Sequence, residues 1–229
     1  MPRSKRLSAI YNQAVSFAAE DDVVVDVGAD HGYLAVILKQ SNMFKHVIAT
    51  DISAPSLNKT EELAKSLNLN IETRVGDGLT VAQDATIACI CGMGGYEIIK
   101  ILQQQKTVQK FVLQPVQKAI ELRVYLLKNK YKIVSDTVVE DKDKCYYIMS
   151  VNGKGKNRYS KTEMLFGKED LNNPTKDFKL YLQNQINKLQ FVKDINLNKI
   201  ELKQRKEVRQ KVKHYKLCKK ILNKIGSAV

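Results

Sequence analysis

Residues 23–34 read Val23-Val24-Val25-Asp26-Val27-Gly28-Ala29-Asp30-His31-Gly32-Tyr33-Leu34, and this stretch decides the fold. Its first half is a β-branched run without alternation, the pattern of a parallel strand buried on both faces. Two glycines then bound a tight turn, and Tyr33-Leu34 opens an apolar helical segment. A strand–turn–helix unit of this kind puts its turn at the carboxyl edge of a doubly wound sheet, where such domains hold nucleotide-like ligands. The turn is not the dinucleotide fingerprint, because Asp30 takes the place of the second glycine of G-x-G-x-x-G. A carboxylate there repels a pyrophosphate but suits a cationic ligand. The expected cofactor therefore carries positive charge, and S-adenosylmethionine fits better than NAD.

On either side of this unit, the first 150 residues alternate short apolar strands with helical patterns, which predicts βαβ units and a mostly parallel sheet. Strands are expected at 23–27, 46–51, 71–75, 87–91 and 111–114. Helices are expected at 4–17, 32–40, 53–67 and 116–129, the third with Ser53 as N-cap and Pro55 in its first turn. Segments 132–139 and 145–151 form a closing antiparallel pair. This order matches a class I, Rossmann-like α/β methyltransferase domain better than a dehydrogenase.

That domain is expected over residues 1–152, followed by a connector and a basic helical domain over 153–229. Residues 152–174 are a polar connector. Beyond it, Phe178, Leu182, Ile186, Leu189 and Val192 form one apolar stripe at helical spacing. Val208, Val212, Tyr215, Cys218, Leu222 and Ile225 form a second. With the pattern broken around 194–198, an antiparallel, coiled-coil-like hairpin is the natural solution.

Net charge is +14, and it is segregated. Residues 1–151 carry 18 Lys+Arg against 17 Asp+Glu, whereas residues 152–229 carry 20 against 7. Biased genome composition would act on the whole chain, so the segregation belongs to the protein and points to a polyanionic partner. The candidate phosphate contacts are Lys203, Arg205, Lys206, Arg209, Lys213, Lys216 and Lys220. No apolar run approaches the ~20 residues of a membrane span. No signal peptide is evident either, so a cytoplasmic location is expected. The four cysteines lack metal-ligand spacing, and no metal is expected.

Four strand ends should converge on one sheet edge. The first offers Asp26, Gly28, Asp30 and His31, with helix N–H groups beyond them for a carboxylate. The second ends in Asp51-Ile52, where Asp51 could accept both ribose hydroxyls. The third ends in Asp77-Gly78, with Asp77 placed to accept from an adenine amine. The fourth ends in Gly92-Met93-Gly94-Gly95, a closely approaching backbone where a substrate base could lie. Against this stands a plainer reading in which Asp30 only caps its helix and Gly94 and Gly95 only turn the chain.

Read together, Asp26-Val-Gly-Ala-Asp30-His31-Gly-Tyr33-Leu34, Ala49-Thr-Asp51-Ile, Val75-Gly-Asp77-Gly78-Leu and Cys91-Gly92-Met93-Gly94-Gly95 resemble one family. It is the bacterial tRNA (adenine-N1)-methyltransferases acting at adenosine 22, the TrmK family. Ser4-Lys5-Arg6-Leu7, the Gln114-Pro115 turn and the Lys-rich C-terminal helices share the resemblance. It implies a cofactor pocket of Asp26, Gly28, Asp30, His31, Asp51, Asp77 and Gly92. It also implies Tyr33, Met93, Gly94 and Gly95 toward the target base, and C-terminal helices that help hold tRNA.

Adenine N1 carries a free lone pair at neutral pH and needs no general base. The expected work of the site is in-line positioning and water exclusion. Asp30 and backbone oxygens around Gly92–Gly94 would oppose the charge developing on the base, and Tyr33 or Met93 would stack on it once it is turned out. The rival readings are methylation of another RNA or a small molecule, and a non-catalytic RNA-binding protein that keeps the fold. A monomer is expected.

Overall fold

The computed structural model describes residues 4–19, 21–104, 107–195 and 201–226. The chain divides into two compact units, Met1–Leu171 and Asn172–Val229.

The first unit is built on a seven-stranded sheet, β1 (Val23–Val27), β2 (His46–Asp51), β3 (Glu72–Val75), β4 (Ile87–Gly94), β5 (Lys110–Gln117), β6 (Tyr131–Asp141) and β7 (Lys144–Lys154), in the order β3-β2-β1-β4-β5-β7-β6. The first five strands are parallel, and β7 runs antiparallel to β5 and β6. Helices α1 (Lys5–Val15), α2 (Tyr33–Gln40), α3 (Ala54–Ser66), α4 (Gly95–Gln104) and α5 (Ala119–Lys128) complete the βα units. The valine run behaves as its composition requires, with Val24, Val25 and Val27 at most 2% exposed. Val24 shares a core with Ile10 and Ala14 of α1, Leu34 and Leu38 of α2, and Cys89 of β4. Asp26 lies two residues beyond Val24, so the period-2 alternation of a strand puts its side chain on this same buried face.

Ser53 caps α3 with Pro55 in the first turn, as expected, and Ser4 caps α1. Strand β5 runs through Gln114 and Pro115, expected as a turn, to Gln117, so the helix expected at 116–129 starts only at Ala119. Strand β4 continues past Cys91 to Gly94 through register shifts around Met93, so the Gly-Met-Gly segment is bulged strand. Gly95 then opens α4, a helix the reading left unassigned, which buries Ile98, Ile101 and Leu102.

The expected boundary at 152/153 also moves, to 171/172. Strand β7 extends to Lys154, and residues beyond it form α6 (Lys161–Phe166), opened by a Ser160–Glu163 capping box, and α7 (Glu169–Asn172). Polar ties fix them to the first unit. The Arg123 guanidinium donates through Nη1 to the Met164 carbonyl at 3.3 Å, and Asp170 accepts from the Val138 N–H at 2.6 Å.

In the second unit, α8 (Lys176–Lys188) and α9 (Leu202–Gly226) pack against each other. Phe178 and Leu182 of the first stripe and Tyr215 and Cys218 of the second are buried. The break expected around 194–198 falls largely on residues 196–200, which lie outside the described residues. Among the described residues no helix is long and apolar enough to cross a membrane, and no three His, Cys, Asp or Glu side chains group as a metal site.

Candidate functional site

Strand order reverses between β1 and β4, and the crevice at their carboxyl ends holds the candidate site. A cavity of about 490 Å³ there is lined by Gly28 after β1, Asp51 and Ile52 after β2, Asp77 and Gly78 after β3, and Met93 of β4. A smaller cavity of about 130 Å³ shares Gly28 and adds Asp26, Asp30, Tyr33 and Gly92. Backbone bonds hold these ends in place: Gly28 and Ala29 donate to the Thr50 carbonyl at 2.8 and 3.0 Å, and Gly76 donates to the Asp51 carbonyl at 2.9 Å. His31 and Gly94, both expected at the site, line neither cavity.

The four carboxylates differ in environment. Asp26 is buried, its Oδ2 accepting from the Ala35 N–H at 3.2 Å. Burial, reinforced by Asp51, pushes its pKa up to about 7. Asp51 uses Oδ1 to accept from the Ser53 N–H at 2.8 Å, which fixes its carboxylate at the mouth of β2. Beside it Ile52 is 75% exposed and gives the larger cavity an apolar rim. Asp30 does not cap α2, whose N-cap is Gly32, with no side-chain cap hydrogen bond. It accepts from the Lys59 ammonium at 3.0 Å, and this contact holds its pKa below the ordinary carboxylate value. Lys59 thereby offsets the field that Asp30 alone would place on a cationic base.

Asp77 accepts from Gln104 Nε2 at 2.8 Å, which fixes that amide's orientation. Gln104 Oε1 is then a buried acceptor without a donor among the described residues. Gln104 lines the larger cavity, so a ligand amine beside Asp77 would meet two acceptors there. A ribose-bearing, amine-bearing, cationic ligand fits this set of acceptors, and a pyrophosphate does not.

In the smaller cavity, Gly92 sits at φ 77 with nothing within 4 Å of where a Cβ would stand. Its conformation and its openness both leave backbone exposed to a ligand. Its N–H donates to Gln114 Oε1 at 3.2 Å, and Arg6 Nη1 donates to the same oxygen at 3.1 Å. Two donors converging on one atom orient the fully buried Gln114 and tie α1 to the end of β4. Gly28, at φ 76, lies directly under the Met93 methyl, so Met93 reaches back across the larger cavity. Gly94 is buried against Glu97, and a Cβ at Gly95 would meet the Lys118 carbonyl, so these two glycines serve the β4–α4 junction. Tyr33 is 42% exposed and stacks on His31, whose own φ is 67, with ring centroids 5.9 Å apart.

Arg6, Gln104 and Gln114 were not foreseen as site residues. A glutamine inside the apolar run Phe111-Val112-Leu113-Gln114 was the available signal, because a polar side chain on a buried strand needs partners. In the second unit, Lys206, Arg209, Lys213, Lys216 and Lys220 are exposed and follow one another by 3, 4, 3 and 4 positions along α9, one helical face. Arg205 is half-buried, and the Lys203 side chain lies outside the described residues.

The 3-2-1-4-5-7-6 strand order and the ligand crevice at its reversal define a class I, Rossmann-like methyltransferase fold. The chain belongs to the TrmK family, tRNA (adenine(22)-N(1))-methyltransferase, whose family model matches residues 24–217. The Bacillus subtilis tRNA (adenine(22)-N(1))-methyltransferase is 32% identical over 154 residues, 64% of this chain and 63% of that one. A Streptococcus agalactiae protein of the NADB-Rossmann superfamily is 28% identical and superposes with a TM-score of 0.82, covering 97% of this chain and 98% of its own. Sp1610 of Streptococcus pneumoniae, solved in complex with S-adenosyl-L-methionine, is 25% identical with a TM-score of 0.79, over 96% and 99% of the two chains.

Proposed function

We propose that this protein uses S-adenosylmethionine to methylate N1 of adenosine 22 in tRNA. Family membership supports the reaction. The observation that carries the cofactor is the row of Asp26, Asp51 and Asp77 along one crevice, joined by the orphaned Gln104 acceptor. Asp51 would take the ribose, Asp77 and Gln104 the adenine amine, and the Asp26–Gly28 turn the amino-acid end. When bound, the cofactor supplies an electrophilic sulfonium methyl.

The chain's own residues then have three tasks. Gly92 presents bare backbone beside the cofactor cavity, so the target ring can approach without a side chain between. Tyr33 and Met93 offer an aromatic face and a flexible thioether to pack the turned-out base and exclude water. Backbone carbonyls near Gly92 oppose the positive charge left on the methylated ring. No side chain need remove a proton, because N1 attacks through its free lone pair. The exposed basic face of α9 would contact tRNA phosphates and position the substrate without reading its sequence.

The direct test is incubation with labelled S-adenosylmethionine and an unmodified tRNA transcript, followed by reverse transcription. An N1-methyl group blocks Watson–Crick pairing, so a stop at adenosine 22 is expected; label in tRNA without that stop overturns the assigned atom and position. Asp51→Ala is expected to weaken cofactor binding about a hundredfold, the scale of losing hydrogen bonds to a charged acceptor. Wild-type affinity by calorimetry would remove Asp51 from the pocket. Reversing Lys206, Arg209, Lys213 and Lys216 to Glu is expected to weaken tRNA binding and flatten its salt dependence while sparing cofactor affinity. An unchanged salt slope would acquit the helix.

A further inference from the structure

Beyond Tyr33 the first unit carries a third cavity, of about 300 Å³, to which the proposed methyl transfer assigns no role. It lies between the start of α1, the start of α2 and the β6–β7 hairpin tip, and it includes Arg6, Tyr33, Ile37, Lys142, Lys144 and Tyr146. Arg6, Leu7 and Tyr33 also line the small cavity beside Gly92, so the two adjoin. It shares no residue with the large cofactor cavity.

The hairpin tip is held deliberately. Asp141 accepts from the Ser4 hydroxyl at 2.7 Å and from the Lys5 N–H at 3.1 Å, and Lys5 reaches Glu140 at 3.0 Å. These contacts dock the tip onto the start of α1 and commit the carboxylate in the cavity wall to protein donors. The tip residues Lys142 and Asp143 stand at φ 52 and 64, where asparagine and glycine are favoured, so a lysine is kept at the rim despite local strain. The Arg6 guanidinium lies 5.1 Å from the Tyr146 ring centroid. Three cations, one committed carboxylate and an apolar wall with two tyrosines make a cavity for a ligand that is anionic and carries a flat ring.

We propose that this cavity receives the nucleotide next to the turned-out target, with its phosphate on Arg6, Lys142 and Lys144 and its base against Tyr146. The target base itself must lie against the cofactor cavity, and this site lies one step further out. The inference rests on the tRNA methyltransferase reading and names a second RNA subsite for it. Phosphate contacts there would fix the strand on one side of the target, and packing of the neighbouring base would hold the target turned out.

The test compares Lys142→Glu/Lys144→Glu with Lys65→Glu/Lys128→Glu, a control at the far ends of α3 and α5. The hairpin pair is expected to raise KM for tRNA about tenfold and to flatten the salt slope by about two, with cofactor affinity unchanged. The control pair should change KM less than twofold. A photoreactive benzophenone side chain in place of Tyr146 should crosslink to the nucleotide adjoining adenosine 22. Wild-type protein that leaves tRNA unmethylated overturns the reading on which the proposal rests. Normal wild-type activity with equal KM for the two double variants, or a crosslink to a distant nucleotide or to the target itself, overturns the subsite alone.

Discussion

Asp136→Ala is expected to destabilise the first unit by about 3–5 kcal/mol, the scale of leaving a buried ion-pair partner uncompensated. Arg123 is fully buried and Asp136 is 1% exposed. The pair is bidentate, Nε to Oδ2 at 2.7 Å and Nη2 to Oδ1 at 2.8 Å. The guanidinium also lies 4.2 Å from the Tyr147 ring centroid. Removing the carboxylate strands a charge that cannot lose its proton and has no route to water. The converse follows from the same physics: Arg123→Met/Asp136→Leu removes both charges and should be more stable than either single variant. Urea unfolding monitored by circular dichroism checks both statements. A single variant within about 1 kcal/mol of wild type would mean that water or another acceptor reaches Arg123. The pair also fastens α6 through Met164, so Asp136→Ala should expose residues 155–171 to protease before the rest of the unit unfolds.

The same pair shows where sequence reading stops. Nothing in the spacing of Arg123 and Asp136 says that helix α5 and strand β6 bring them together in the core, so residues 152–174 read as a polar connector. The strands were legible because composition alone identifies them: valines buried on both faces in β1, and apolar β2 ending in Asp51, were placed to the residue. That Asp26, Asp51 and Asp77 line one crevice was legible for a different reason. A parallel sheet sends all its strand ends to one edge, so topology turns residues far apart in sequence into neighbours. Gln104 was not legible, because it enters from α4, whose start is hidden by a glycine pair that reads as a turn. Arg6 and Gln114 were hidden likewise, since their meeting needs α1 to pack beside β4 and β5. His31 and Gly94 are expected from adjacency in the motif alone; His31 stacks on Tyr33, and Gly94 faces Glu97.

Asp26→Asn is expected to make the free protein more stable at pH 8 while weakening its hold on the cofactor. In the folded chain Asp26 titrates at about 7, whereas in the unfolded chain it titrates near ~3.9. Between these values the folded state holds one proton more, so stability falls as pH rises through this window and levels off above about 7. The integrated loss is on the order of 4 kcal/mol, from about 1.4 kcal/mol per pH unit. Asparagine still accepts from the Ala35 N–H but cannot ionise, so the variant escapes that loss. With about 2–4 °C per kcal/mol in a domain of this size, its Tm should exceed that of wild type by roughly 5–15 °C at pH 8 and converge with it near pH 4. Parallel Tm curves across that range would show that Asp26 is ionised throughout. The cofactor's ammonium group would reverse the balance, because an adjacent cation favours the carboxylate and lowers its pKa. Binding to wild type near pH 6 should therefore release a proton, visible as a buffer-dependent heat in calorimetry, and binding to Asp26→Asn should release none. The buried acid is thus protonated in the free protein and ionises when a cation arrives, which makes Asp26 selective for charge as well as for shape.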